Sequence, residues 1–372
     1  MKTGIVMLKQ LPTQEVVKFF SSLKDKMKFS SGQKKQTVEI TRRIGLNIGR
    51  SSIIAAEMLH GGSELVLEKC YRKELTEGSV GQQLKTFLQE AGFQSKKVNL
   101  SLKGQGIVIR FLRFPRMNRS DFESALQFEA EKYLPFNLSD VMLDFHINEK
   151  DNEPGKSGTT MPVILVAARK TEVQKLIQLA QFAGLEINAI DVDTLACSNA
   201  FELGMPEMSE KVVGVVDFGG RDTTFMIRDK GMLVFSRDIA FGGSDAIASI
   251  KRKLNITDGE AAQIQYSNDA TKPEYQEAIQ ESLERVFHEL KLSINYYFNQ
   301  RENAPPIESL FISGGYSQTG MLPELLQKRL EIPVQKWDPT QRLKLDPSLK
   351  SELLKPLIPY LPVSIGLAIR LK

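Results

Sequence analysis

Two short stretches of this chain carry residue types that cradle a phosphate. They are Asn47-Ile48-Gly49-Arg50-Ser51-Ser52 and Asp217-Phe218-Gly219-Gly220-Arg221-Asp222-Thr223-Thr224, about 170 residues apart. Each follows an apolar run, 44–46 and 214–216, and each leads into another. Glycines leave backbone N–H groups open to an anion, hydroxyls add donors, and an Asp at the end of the strand can hold a magnesium ion through water. A third turn, Ser313-Gly314-Gly315-Tyr316, follows the apolar run 310–312 and precedes a helix starting near Leu322-Pro323-Glu324. Its glycines would let a nucleotide base approach the backbone. One such tripeptide is nearly worthless as a signal. Two between apolar strands, with the Ser-Gly-Gly turn, point to a nucleotide, the alternative being three unrelated turns.

The elements that must position these turns are partly legible. Both phosphate-type stretches run strand, Asp or Asn, one residue, Gly, polar turn, strand. That weak internal repeat predicts two related α/β halves. Over 281–300, Leu283, Val286, Phe287, Leu290, Ile294 and Tyr297 form one apolar stripe at helical spacing, with His288 on the solvated side. Ser120 and Glu123 form a capping-box pattern that predicts a helix to Leu134, before Pro135. Phe122, Ala125, Leu126, Ala130 and Tyr133 share a face of that helix, with Glu129 inside it; either Glu129 is internally paired or the face is a binding groove. Val16, Phe19, Phe20, Leu23 and Met27 predict a basic amphipathic helix over 13–28, followed by a polar linker over 30–36. The globular part is expected to start near Arg43.

Composition bounds the function. The 372 residues suggest two or three domains, and 41% hydrophobic with 25% charged residues excludes a collagen-like or wholly disordered chain. No run approaches the ~18–20 apolar residues of a membrane span, and the first residues lack a signal-peptide pattern. Cys70 and Cys197 show no metal-ligand or disulfide spacing, so a reducing cytoplasm is expected. Net charge is +4, split into +7 over residues 1–43 and −3 over the rest, so no global nucleic-acid surface is indicated.

At the level of ordered motifs the chain resembles the PilM family of type IV pilus assembly proteins, related to FtsA within the actin-like ATPase superfamily. The resemblance runs over about 44 to 372. Phe114-Pro115 and Phe128-Glu129-Ala130-Glu131-Lys132-Tyr133-Leu134-Pro135-Phe136 are similar to the family's helix ending in Pro-Phe, and Leu143-Asp144-Phe145 to the strand after it. Asp217 to Thr224, Phe235-Ser236-Arg237-Asp238-Ile239 and Gly242-Gly243 resemble its second phosphate loop, returning strand and Gly-Gly turn. Ser313-Gly314-Gly315 and Pro362-Val363-Ser364-Ile365-Gly366-Leu367-Ala368 are similar to its adenosine turn and C-terminal helix.

The resemblance implies an actin-like fold of two related α/β domains. Domain 1 would span 44–210, with an inserted subdomain at about 95–168 and the terminal helix 350–372 completing it; domain 2 would span 211–349. ATP and Mg2+ would lie between them, with Asn47, Gly49, Ser51 and Ser52 as first phosphate loop, Asp217, Gly219, Thr223 and Thr224 as second, Asp217 toward the metal, and Gly314 and Gly315 at the adenosine.

Departures from the family pattern bear on activity. Asn47 stands where Asp is usual, Arg50 where Ser is common, and Ala262 and Gln265 where Glu and Lys would contact ribose and base. Hydrolysis is therefore expected to be weak or absent, with no catalytic base to name. The expected function is a cytoplasmic scaffold of the pilus inner-membrane platform, binding the N-terminal peptide of a PilN-like partner between the insertion and the first domain, with Phe122, Leu126, Glu129 and Tyr133 as contacts. A sugar-kinase-like enzyme and an FtsA-like filament or type II secretion platform protein are the alternatives. Residues 1–43 are expected either to attach to anionic lipid or to pack on protein.

Overall fold

Strands form where apolar and β-branched residues run between polar turns, and the order of those strands is the same in both halves of the chain. The computed structural model describes residues 40–61, 64–147, 159–266, 272–300 and 304–371. The amphipathic helix and linker expected before residue 40 lie outside the described residues.

An antiparallel meander of β1 (Thr41–Ile48), β2 (Ser52–Gly61) and β3 (Glu64–Glu74) opens the fold, and α1 (Val80–Ala91) crosses over to β4 (Lys97–Leu102), parallel to β1. The chain then leaves for a separate antiparallel sheet made of β5 (Ile107–Pro115), α2 (Arg119–Glu129) over one face, β6 (Val141–Ile147) and β7 (Thr160–Arg169), in the order β5-β7-β6. Helix α3 (Lys170–Phe182) returns it to β8 (Glu186–Val192), parallel to β4, and α4 (Asp193–Gly204) leads out of the first half.

In the second half β9 (Val212–Phe218), β10 (Thr223–Asp229) and β11 (Met232–Ile239) repeat the meander. Helices α5 (Gly243–Leu254), α6 (Asp258–Tyr266) and α7 (Pro273–Gln300) make the crossover to β12 (Ser309–Ser313), parallel to β9, and α8 (Leu322–Leu330) leads to β13 (Val334–Lys336). Then β14 (Lys344–Leu345), α9 (Ser351–Leu354) and α10 (Pro362–Ala368) return to the first sheet. The strand orders are β14-β3-β2-β1-β4-β8 and β11-β10-β9-β12-β13. The repeat read between 44–54 and 214–224 is thus a repeat of topology, with Asn47 and Asp217 at matching places on the central strands.

Three apolar clusters support this arrangement, the largest centred on the first sheet and taking in Val213, Val215 and Met226 of the second and Val166 of the insertion. The stripe Leu283, Val286, Phe287, Leu290, Ile294 and Tyr297 of α7 is buried as expected and His288 is exposed. The helix begins earlier than the stripe, at Pro273, because Ala278, Ile279 and Ser282 continue its buried face. Helix α10 is buried along its whole length. A Cβ on Gly366 would lie 1.7 Å from the Ala196 carbonyl oxygen, so only glycine lets α10 meet α4 backbone to backbone. The Asn99 amide donates to the carbonyls of Leu367 and Arg370, each at 2.8 Å, and Arg370 reaches Asp191 at 2.6 Å in full burial.

Two boundaries differ from the sequence reading. Residues 97–102, expected inside the insertion, pair with β1 and β8, since their apolar run is buried in the first core. The return to the first sheet begins at Lys344 rather than near 350. No described helix is long and apolar enough to cross a membrane.

Candidate functional site

The two expected phosphate loops are the β1–β2 and β9–β10 turns. In each, a glycine N–H donates to a carbonyl three residues on: Gly49 to Ser52 and Gly219 to Asp222, both at 2.9 Å. The fold brings them face to face. Arg50 pairs with Asp222 at 3.4 Å, and a Cβ on Gly220 would sit 2.3 Å from the Ser51 hydroxyl. Behind the second loop, the first turn of α5 donates from Gly243 to Gly219 at 3.1 Å and from Ser244 to Gly220 at 2.8 Å.

The hydroxyls expected to meet phosphate point elsewhere. Thr223 is fully buried and donates to the Phe241 carbonyl at 2.8 Å, while Thr224, also buried, donates to Asp238 at 2.8 Å. Both open β10, whose alternating faces are both covered along nearly its whole length, so each hydroxyl is buried and finds its partner inside the fold. Ser52 is buried as well. Of the expected donors, Ser51, Gly49 and Gly219 stay at the mouth of the cleft.

Where a metal would sit, the charge pattern is unlike the expectation. Asn47 donates to Asp193 at 3.0 Å and to Ser101 at 3.3 Å, and Asp217 accepts from Ser313 at 3.1 Å. Burial pushes the Asp193 carboxyl up to about 6, only partly offset by Lys103, Ser101 and Asn47. Burial likewise raises Asp217, with Lys103 opposing. Burial alone would lower Lys103, but Asp193, Asp238, Asp217 and Asp222 outweigh it and hold the ammonium above its ordinary value. Neither Asp193 nor Lys103 was singled out from sequence; the signals were an apolar strand ending in alternate acids, Asp191 and Asp193, and another ending in Lys103-Gly104. Among the described residues no group of three or more His, Cys, Asp or Glu could hold a metal ion. A neutral amide and an ammonium do not fit a hydrated Mg2+.

The base end is covered too. The Gly314 N–H donates to the Pro359 carbonyl at 2.7 Å, and a Cβ on Gly315 would meet the Tyr360 ring at 2.4 Å. The Arg72 guanidinium lies 4.2 Å from the centre of that ring. Gln265 is buried on the same face of α6 as Ala261, one turn away, and its carboxamide meets no hydrogen-bond partner among the described residues.

The insertion corrects the expected partner contacts. Asn118, not Ser120, caps α2: its side chain accepts from the Asp121 N–H at 2.9 Å and donates to the Asp121 carboxylate at 2.7 Å. Phe122 and Leu126 are buried in the insertion's own core, so no ligand reaches them. Phe122 lies edge-on to Phe114 at 4.9 Å and to Phe145 at 4.8 Å. Tyr133 packs half-buried against Phe114, and Glu129 pairs with Lys132 at 2.7 Å. The shared apolar face that suggested a groove faces its own sheet.

An open cleft lies beside it instead. About 660 Å³ in volume, it is lined by Leu134, Pro135, Phe136 and Asp140 of the insertion and by Arg169 and Lys170 at the start of α3. Arg169 stacks over Phe136 at 4.6 Å, and Lys170 donates to the Ser139 carbonyl at 2.7 Å, holding the two walls together.

The family model for type IV pilus assembly protein PilM matches residues 45–372. The chain belongs to the PilM family. Among solved structures it is similar to a PilM-PilN type IV pilus biogenesis complex, with a TM-score of 0.77 and 25% identity over 88% of this chain and 98% of that one. Ethanolamine utilization protein EutJ from Carboxydothermus hydrogenoformans gives a TM-score of 0.51 at 13% identity, covering 90% and 91% of the two chains. MreB5 of Spiroplasma citri bound to ADP gives 0.46 at 12% identity, covering 81% and 92%. The architecture is the actin-like ATPase fold, and the protein is an actin-like type IV pilus assembly protein.

Proposed function

We propose that this PilM-family chain is a scaffold on the cytoplasmic face of the pilus inner-membrane platform, and that it holds the N-terminal peptide of a PilN-like partner. The observation that carries this reading is the cleft between the insertion and α3, considered with the likeness to a PilM-PilN complex. An extended peptide needs apolar pockets to choose its side chains and polar groups to meet its backbone. Leu134, Pro135 and Phe136 offer the first; Asp140, Arg169 and Lys170 offer the second. Turnover of ATP would need a hydrated metal ion and a base, and Asn47 and Lys103 are neither metal ligands of the needed charge nor a base, so weak or absent hydrolysis belongs to the proposal. A sugar-kinase-like role fits the same residues worse for that reason.

Titration calorimetry of the full chain against a PilN-like N-terminal peptide tests this. Phe136→Ala should weaken binding by about thirtyfold, the cost of truncating a buried anchor at ~2 kcal/mol, while Glu129→Ala and Asp217→Ala should change it little. The reading fails if the folded chain binds no such peptide, or if Glu129→Ala is the damaging change and Phe136→Ala the silent one.

A further inference from the structure

Three internal contacts lie where a nucleotide would bridge the two halves. At the phosphate position, Arg50 of the first half pairs with Asp222 of the second at 3.4 Å, and Ser51 seats against Gly220. At the metal position, strand register delivers Lys103. Leu102 of β4 pairs with Val192 of β8, so residues 103 and 193 leave adjacent strand ends side by side. The half-buried Lys103 chain then lies within electrostatic reach of Asp193 from its own half and of Asp217, Asp222 and Asp238 from the other. At the base position, Tyr360 covers Gly315 and Arg72 stacks on Tyr360.

We propose that the cleft is latched by the chain's own side chains, Lys103 standing in place of a divalent cation and Tyr360 in place of a base, so that the two halves stay closed without nucleotide. A nucleotide tightens such a cleft by bridging charges and hydrogen bonds across it, and here those bridges are built in. A triphosphate entering would have to part Arg50 from Asp222 and displace Lys103 from beside the half-buried Asp193 and Asp217, leaving those acids without a compensating cation. A base would have to lift Tyr360 from Gly315, breaking its stack with Arg72 as well. The latch draws on residues far apart in the chain, at 50–51, 72, 103, 220–222 and 360, and does not involve the peptide cleft at 134–140 and 169–170.

Hydrogen exchange and thermal unfolding of the full chain test this with no nucleotide, with ATP and MgCl2, and with ATP and EDTA. Slow exchange across 47–52 and 217–224 without nucleotide, unchanged by either ATP condition, is expected. Lys103→Ser should lower the melting temperature and make it rise with Mg2+, while Lys103→Arg should do neither. Adding Tyr360→Ala to Lys103→Ser should make ATP with Mg2+ stabilising. Tenfold or greater protection of the two loops by ATP and MgCl2 in the unaltered chain would overturn the proposal, as would a Lys103→Ser protein with unaltered stability and no response to Mg2+. Should the variants fail to fold, the exchange result on the unaltered chain decides alone.

Discussion

Replacing Phe122 with alanine separates a core residue from a ligand contact. The side chain is fully buried, and its ring meets Phe114 at 4.9 Å and Phe145 at 4.8 Å, both edge-on. A buried Phe→Ala change costs about 3–5 kcal/mol through lost transfer energy and the cavity left behind. The two edge-to-face contacts, each worth ~0.5–1.5 kcal/mol beyond area, favour the middle to upper part of that range. About 4 kcal/mol shifts the folding equilibrium by roughly a thousandfold. Because the insertion has a core of its own, the loss should fall there first. Urea denaturation read together with hydrogen exchange should show lost protection in β5, β6 and β7 while β9 and β12 keep theirs. A loss below ~1 kcal/mol accompanied by weakened peptide binding would refute this reasoning, since it would mean that the Phe122 ring is reachable from outside.

Arg370→Met should cost about 3–5 kcal/mol in urea, because Asp191 would be left charged and buried, whereas Asp191→Asn with Arg370→Met should recover most of the loss. Gln265→Met should stabilise the fold by about 1 kcal/mol, removing a buried carboxamide without a hydrogen-bond partner among the described residues; a destabilised variant in the same titration would show that the amide is satisfied. Stability should also depend on pH through Asp193. Its carboxyl is held up to about 6, so the native chain keeps a proton that the unfolded chain gives up near pH ~4. That contribution is present in full below the unfolded value and is lost as pH rises to about 6. Asp193→Asn should flatten the decline in denaturation midpoint between pH 4 and 6, and an unchanged slope would assign the effect elsewhere.

Local pattern made much of the fold readable. The repeat of apolar strand, Asp or Asn, Gly and polar turn is a property of consecutive residues, and it announced two like halves whose central strands carry Asn47 and Asp217. The stripe on α7 was legible for the same reason, since a helix of 3.6 residues per turn writes its buried face into the sequence. That Asn47, Gly49, Ser51, Gly219 and Asp217 belong to two matching turns was legible because turn chemistry is local.

What the cleft is made of depends on residues that meet only in space. Lys103 comes to stand beside Asp193 because β4 and β8 lie side by side in register, and Tyr360 reaches Gly315 because the chain returns to the first sheet after β14. No spacing in the sequence records either approach. The face of Phe122 and Leu126 shows the limit from the other side. An apolar stripe declares that a helix will bury one face, but whether it does so against its own sheet or against a partner is decided by what the rest of the chain places opposite, here β5, β6 and β7.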